Sequence, residues 1–257
     1  MSKTVYELKY RLLEKGVEPR PIRLAVPGWG GEDVKRANGA VPQPWHCVPF
    51  LAGASYGLEL VYDLDAECRV GWDGGQLRFL GDFSKPESSR MAWPPFRSIS
   101  PNHYSLGTMV DLQVPEGYSL RVEPHPSFFN DTTASVPAAV IGNLETSWWP
   151  MFFFVTFKNP GRNEEHRFRK GMPYAQLIVV PTDVRYRVTR MSAQDERARE
   201  AAANAMLTKR RALTRRRWLS DQNVPFDDLY RRLANAVRVK RGFAAQPDSS
   251  RRADERT

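Results

Sequence analysis

Cysteine is scarce in this chain: two residues in 257, Cys47 and Cys68. Neither belongs to a CxxC pair and no second ligand cluster accompanies them, which argues against a zinc site. The pair suffices for one disulfide, but nothing in the sequence marks an oxidising compartment. Histidine is nearly as rare, with His46, His103, His125 and His166 as the full set. No His-x-His exists, so no metal motif of the cupin type is expected. His103 in SPNHYS and His166 in NEEHRF read as loop residues. No stretch reaches the roughly 18 apolar residues of a membrane-spanning helix. The N-terminal MSKTVYELKYRLLEKG is charged throughout and has no apolar signal core, so the expectation is a cytoplasmic protein without membrane contact. No Ser-His-Asp arrangement is marked by a GxSxG elbow, although GASYG at 53–57 has that spacing, and there is no P-loop or GxGxxG. The Gly-rich GWGG at 28–31 and WDGG at 72–75 lack the strand before and helix after that a phosphate loop needs.

What the chain does contain is ordinary for a folded protein. It is 41% hydrophobic, with 20 prolines and 17 glycines, too apolar for a disordered one. The prolines cluster in PRPI (19–22), PQPW (42–45) and AWPPF (92–96), as punctuation between short strands. The net charge of +9 is unevenly placed: residues 1–195 hold 22 basic and 21 acidic residues, and residues 196–257 hold 16 and 8. The body is close to neutral and the tail carries the charge.

The pattern divides the chain into four parts. Residues 1–46 are a short helix or strand start followed by a Pro/Gly-rich lead-in. Residues 47–190 are β-patterned: CVPFLA, GLELVYD, ECRVGW, QLRFLG, TMVDLQV, YSLRVEP, FFFVTFK and AQLIVVP are rich in Val, Phe and Tyr and bounded by Gly, Pro, Asn and Asp. Gly74-Gly75 fits a hairpin between ECRVGW and QLRFLG. Residues 191–243 form a basic helical appendage. SAQDERAREAAANAMLTKRRALTRRRWL reads as one helix with Ser192 as N-cap and Asp195 and Glu196 in the first turn. DQNVPFDDLYRRLANAVRV gives a second helix, with Phe226, Leu229, Tyr230, Leu233 and Val237 on one stripe. Residues 244–257 read as a disordered tail.

The segment IGNLETSWWPMFFFVTF (141–157) bears most on function. It is too short for a membrane helix, and FFFV reads as a strand buried on both faces. Trp148 and Trp149, beside Pro150 at the strand entry, fit either the core or the wall of a ligand site, where a flat ring stacks on a base or sugar. Asp63, Asp65 and Glu67 form an alternating acidic face that reads as a solvated edge; it lacks the glycine and spacing of a calcium loop.

Three segments resemble, in order, the dUTPase and dCTP deaminase superfamily of β-clip proteins over about residues 47–185. They are LAGASYGLELVYDLDAECRV (51–70), LQVPEGYSLRVEPHPS (112–127) and GNLETSWWPMFFFVTFKNPGRNEEHRFRKGMPYAQLIVVP (142–181). Pro115, Gly117, Tyr118 and Pro124 match the second element, and Gly142 and Leu144 the third. Phe168, Gly171, Ala175, Gln176, Leu177 and Pro181 match the closing strand. Most of the chain also resembles an uncharacterised bacterial domain family through Trp72–Gly75, Gly142–Trp148 and Phe168–Pro173.

The superfamily resemblance implies a mainly β fold, a β-clip-like distorted barrel or sandwich of short strands, to which this chain adds a C-terminal pair of α-helices. It implies a site lined by Tyr118, His125, Ser127, Glu145, Trp148 and Trp149, and a homo-oligomer, a trimer in the hydrolases. The departures bear on activity. The phosphate-binding Arg-Ser pair reads His125-Pro126, and proline offers no donor. The Asp that orients water reads Glu145, and the stacking Tyr reads Trp148. The Gly-rich C-terminal flap is absent. The leading reading is therefore a protein that binds a small nucleotide- or sugar-like molecule. The alternatives are a divergent nucleotide hydrolase or deaminase-like enzyme with Glu145 as general base, and an adaptor in which Lys209, Arg210, Arg211, Arg215, Arg216 and Arg217 meet nucleic acid or an acidic protein. No cofactor is indicated.

Overall fold

The computed structural model describes residues 5–13, 18–22, 48–73, 75–83, 93–128, 135–215, 217–219 and 222–241. The GWGG segment at 28–31, His46, Cys47, Arg216 and residues 244–257 lie outside the described residues. The chain divides into two compact units, one of Thr4–Gly30 and Gly53–Asp183, the other of Met1–Lys3, Gly31–Ala52 and Val184–Thr257.

The first unit is built of short antiparallel strands. In chain order they are β1 (Lys9–Leu12), β2 (Arg20–Pro21), β3 (Leu58–Val61), β4 (Cys68–Asp73), β5 (Gln76–Leu80), β6 (Phe96–Ser100), β7 (His103–Gly107), β8 (Val110–Gln113), β9 (Tyr118–Glu123), β10 (Gly142–Leu144), β11 (Phe154–Lys158), β12 (His166–Phe168) and β13 (Pro173–Pro181). They form a five-stranded sheet β10-β9-β13-β3-β2, three-stranded sheets β11-β7-β6 and β12-β4-β5, and the pair β1-β8. This is the mainly β architecture of short antiparallel strands expected from the sequence.

Local chemistry explains much of the register. Asp73 pairs with Gln76 at the end of the β4-β5 ladder, and Gly75 has a φ of 81°, the conformation that a two-residue hairpin favours. Gly57 has a φ of +84°, and a Cβ there would lie 2.2 Å from the Leu177 carbonyl oxygen. That close approach seats β3 against β13, and the buried Gln176 secures it by donating to the carbonyls of Gly53 (3.1 Å) and Tyr56 (2.6 Å).

The core is aromatic. Phe168 is fully buried, with the rings of Tyr62, Phe96, Tyr104, Phe157 and Tyr174 around it at centroid distances of 5.2–6.4 Å. Cys68 is buried in the same cluster, free, and burial pushes its thiol up to about 12, with a further contribution from Glu67.

Several expectations are corrected. CVPFLA is not a strand: Val48–Ala54 is a helix, α1. Pro49 suits a first helical turn, and Ala52, Gly53 and Ala54 have little β preference. FFFV is buried on one face only. Phe153, Val155 and Phe157 point inward, whereas Phe152 and Phe154 alternate outward, pack on each other at 5.1 Å, and Phe154 carries the Arg97 guanidinium 3.4 Å above its ring. His103 and His166 are not loop residues. His103 opens β7, and His166 lies buried on β12, where its Nδ1 shares a 2.8 Å hydrogen bond with the Tyr104 hydroxyl.

In the second unit, α2 (Ala193–Thr208) starts at Ser192, whose Oγ accepts from the Asp195 backbone N–H. Every residue of α2 is exposed. The single long helix expected over 192–219 is interrupted. A short helix α3 (Arg210–Leu213) follows Lys209, then Thr214 turns extended and Arg217–Leu219 forms strand β14 against β15 (Pro225–Asp227). The register sets Trp218 opposite Phe226, two residue types that favour strands, and Asn223 takes a φ of 61° between them, which suits a turn better than continued helix. The second helix, α4, runs Leu229–Lys240, so Phe226 lies on β15 rather than on its stripe.

Candidate functional site

Residues just beyond β10 turn sharply. Leu144 pairs with Leu120 of β9, and Glu145 is the next residue, leading into a turn at Thr146–Trp148. The turn brings the Trp148 indole back over Glu145, and its Nε1–H donates to Glu145 Oε2 at 3.0 Å. Gln113 Nε2 donates to the Ser147 carbonyl at 3.3 Å, tying the turn to β8. Trp148 nevertheless remains 66% exposed. An indole held at its edge with a free face is a stacking platform whose ordering cost is met in part before any ligand arrives.

Glu145 and Trp148 line an open groove of about 800 Å³. The opposite wall is the turn Pro115–Gly117, in which Gly117 has a φ of 78° and Tyr118 N–H donates to the Pro115 carbonyl at 3.2 Å. Lys9 of β1, Glu7, Thr182 and Asp183 complete the lining. Four carboxylates, Glu7, Glu116, Glu145 and Asp183, therefore face a single cation, Lys9, among the described residues. Among the described residues no group of three or more His, Cys, Asp or Glu is arranged to hold a metal ion.

The expected site residues separate. Glu145 and Trp148 meet in the groove. Trp149 packs edge-to-face on Trp148 at 5.8 Å without lining it. Tyr118 stands at the groove end of β9, but its ring packs edge-on against Tyr6 at 5.0 Å. His125 and Ser127 are elsewhere. Gly142 opposes Val122 and Leu144 opposes Leu120, so Glu145 continues toward Ser119 while His125 follows the other end of β9. At about 3.3 Å per residue the two ends lie on the order of 15–20 Å apart. The expectation that one pocket holds Glu145 and His125 is corrected by this antiparallel register.

His125 has a partner of its own. It is 2% exposed, its Nε2 lies 3.3 Å from Glu59 Oε2, and its Nδ1 shares a 2.6 Å hydrogen bond with Ser127 Oγ. Arg20 Nε donates to the other Glu59 oxygen at 2.6 Å. Burial alone would raise the Glu59 carboxyl; the hydrogen bonds from His125 and Arg20, with the Arg20 charge, outweigh it and hold the group below its ordinary value. Glu59 is the residue that sequence reasoning missed here. Its signal lies in GLELVYD, where a carboxylate stands between two strand leucines and so needs a partner.

The basic cluster is spread over several elements. Arg210 and Arg211 lie on α3, Lys209 precedes it, Arg215 lies between α3 and β14, and Arg217 lies on β14. Arg210 Nε pairs with Asp227 Oδ2 at 2.6 Å. Asp227 is raised by burial but lowered more by the Arg210 hydrogen bond, the Leu229 N–H and the Arg210 and Arg217 charges. Part of the cluster is thus neutralised within its own unit.

No family model and no curated protein matches the chain, and the bacterial family signature read from the sequence finds no counterpart there. Among solved structures, an EIAV dUTPase is 14% identical, with 73% of this chain and 98% of that chain covered and a TM-score of 0.34. The dUTPase of Staphylococcus bacteriophage 80alpha is 13% identical, covers 73% and 99%, and has a TM-score of 0.35. A point mutant of the dUTPase from phage phi11 of S. aureus is 10% identical at the same coverage and TM-score. No residue correspondence or activity follows from likeness at that level.

Proposed function

We propose that this protein binds a small, ring-containing ligand of nucleoside or sugar type in the groove beside Glu145 and Trp148. The observation that supports it most is the exposed Trp148 face, held in place by its hydrogen bond to the adjacent carboxylate. A ring stacks on the indole while its hydroxyl or amino groups donate to Glu145. The acidic lining favours neutral or cationic ligands. A triphosphate meets four carboxylates and one lysine, so the reading retains the ring-binding half of the resemblance and leaves out the polyphosphate half.

The test is thermal shift and tryptophan fluorescence with a panel of nucleosides, nucleotides and sugars. We expect a nucleoside or sugar to raise the melting temperature and quench fluorescence, with the quenching that depends on Trp148 weaker for the nucleoside triphosphate than for the matching nucleoside. Trp148→Ala should lose at least about tenfold in affinity, the loss of one base–aromatic stack, with unchanged unfolding. A Trp148→Ala variant that binds as well as the parent defeats the reading.

A further inference from the structure

A second groove, of about 700 Å³, opens beside the β12-β4-β5 sheet and has the opposite electrostatic character. Arg167 on β12 stands directly opposite Arg69 on β4 in the antiparallel register. Like charges facing across a ladder destabilise it, and a single side chain separates these two. Glu165 Oε2 lies 4.0 Å from Arg69 Nη1 and 3.6 Å from Arg167 Nη2. Its Cγ passes over Gly71, where a Cβ would sit 3.2 Å away, so the bare glycine makes room for that carboxylate. Both contacts are longer than the roughly 2.7–2.9 Å of a charge-assisted hydrogen bond. Two planar forks thus share one carboxylate that satisfies neither.

A third guanidinium completes the arrangement. Gly161 and Glu164 close a tight turn, with Glu164 N–H donating to the Gly161 carbonyl at 3.0 Å and Gly161 N–H donating to Glu164 Oε2 at 3.1 Å. Trp72 Nε1–H fastens this turn by donating to the Pro160 carbonyl at 2.8 Å. Arg162 rides on the turn and faces the groove, and among the described residues it has no ion pair.

We infer that this groove binds a small phosphate-bearing anion through its lining residues Arg162 and Arg167, joined by Arg69, which does not line the groove but shares Glu165 with Arg167, and that Glu165 is the internal carboxylate the anion displaces. A tetrahedral phosphate has enough oxygens to take bidentate bonds from two facing guanidiniums and a third contact from Arg162, which one carboxylate cannot supply. The turn that carries Arg162 is held by these hydrogen bonds in the free protein, so displacement of Glu165 is the main reorganisation that binding requires.

The experiment is titration of the full-length protein with inorganic phosphate and, separately, with ribose 5-phosphate at low ionic strength, followed by calorimetry. We expect saturable binding that weakens with added salt. Tighter binding of the ester would assign the site to an organic phosphate, and equal binding to the free ion. Glu165→Gln removes the competing carboxylate and should tighten binding roughly three- to tenfold; phosphate should also raise its melting temperature more than that of the parent. The double variant Arg162→Gln/Arg167→Gln should lose at least about tenfold. Absence of binding by both the parent and Glu165→Gln overturns the inference, as does undiminished binding by a folded double variant. If the double variant fails to fold, Glu165→Gln alone decides: unchanged or weakened binding counts against the site.

Discussion

His125 shows how one side chain can match a site position and still serve the fold. Its ring is sealed against Glu59, and Arg20 supplies the permanent charge that the carboxylate requires. Removing one partner of such a set leaves a buried charge under-compensated. His125→Ala should cost about 3 kcal/mol in denaturant unfolding, while ligand binding at the Glu145 groove stays intact. The same set imposes an acid limit. Because the folded Glu59 carboxyl lies below its ordinary value of 4.5, the stabilisation is fully present above that value and is lost as pH falls through the lower folded one. Acid titration of stability should therefore show a limb that Glu59→Gln lowers overall and flattens. A Glu59→Gln variant with the parent's acid limb would sink this assignment.

Gly57, just before β3, passes close to β13. Gly57→Ala places a methyl against the Leu177 carbonyl at a positive φ, so it should cost more than about 2 kcal/mol in thermal unfolding. Gly117→Ala is the control, because its Cβ meets nothing within 4 Å and only the backbone conformation is strained. Strands with both a period-2 pattern and a glycine boundary are readable from sequence: β4 and β5 with Gly-Gly between them, and β9 and β13 with their Pro and Gly ends. Strands β6, β7, β10 and β12 are not. Phe96–Ser100 alternates around serines, and Gly142–Leu144 and His166–Phe168 have three residues each, too few for a period to register. The break after Thr208 is hidden for another reason. Arg-rich sequence favours helix locally, and only pairing with the segment around Phe226 selects a hairpin. Of the candidate site, the contact between Glu145 and Trp148 is legible because they are three residues apart in one turn. The separation of His125 is not, because strand register depends on pairing between distant segments.

The first unit, Thr4–Gly30 and Gly53–Asp183, holds its aromatic core within its own strands, and the exposed α2 belongs to the other unit. A helix with no buried residue draws its stability from Ala, Arg and Glu content and from its Ser192 cap, rather than from packing. Cys68 lies at the other extreme, in the buried cluster that also holds Val70, Phe168 and Tyr174. Its thiol is both out of reach of solvent and held in the unreactive protonated form. In a Cys47→Ser background, modification of Cys68 by a thiol reagent should therefore be slow and should track global unfolding, so that any destabilising substitution elsewhere in the strand assembly speeds it in proportion. Rapid labelling under native conditions would contradict a sealed core. The strand assembly thus contains its own clock: a single thiol whose exposure to reagent times how often the fold opens.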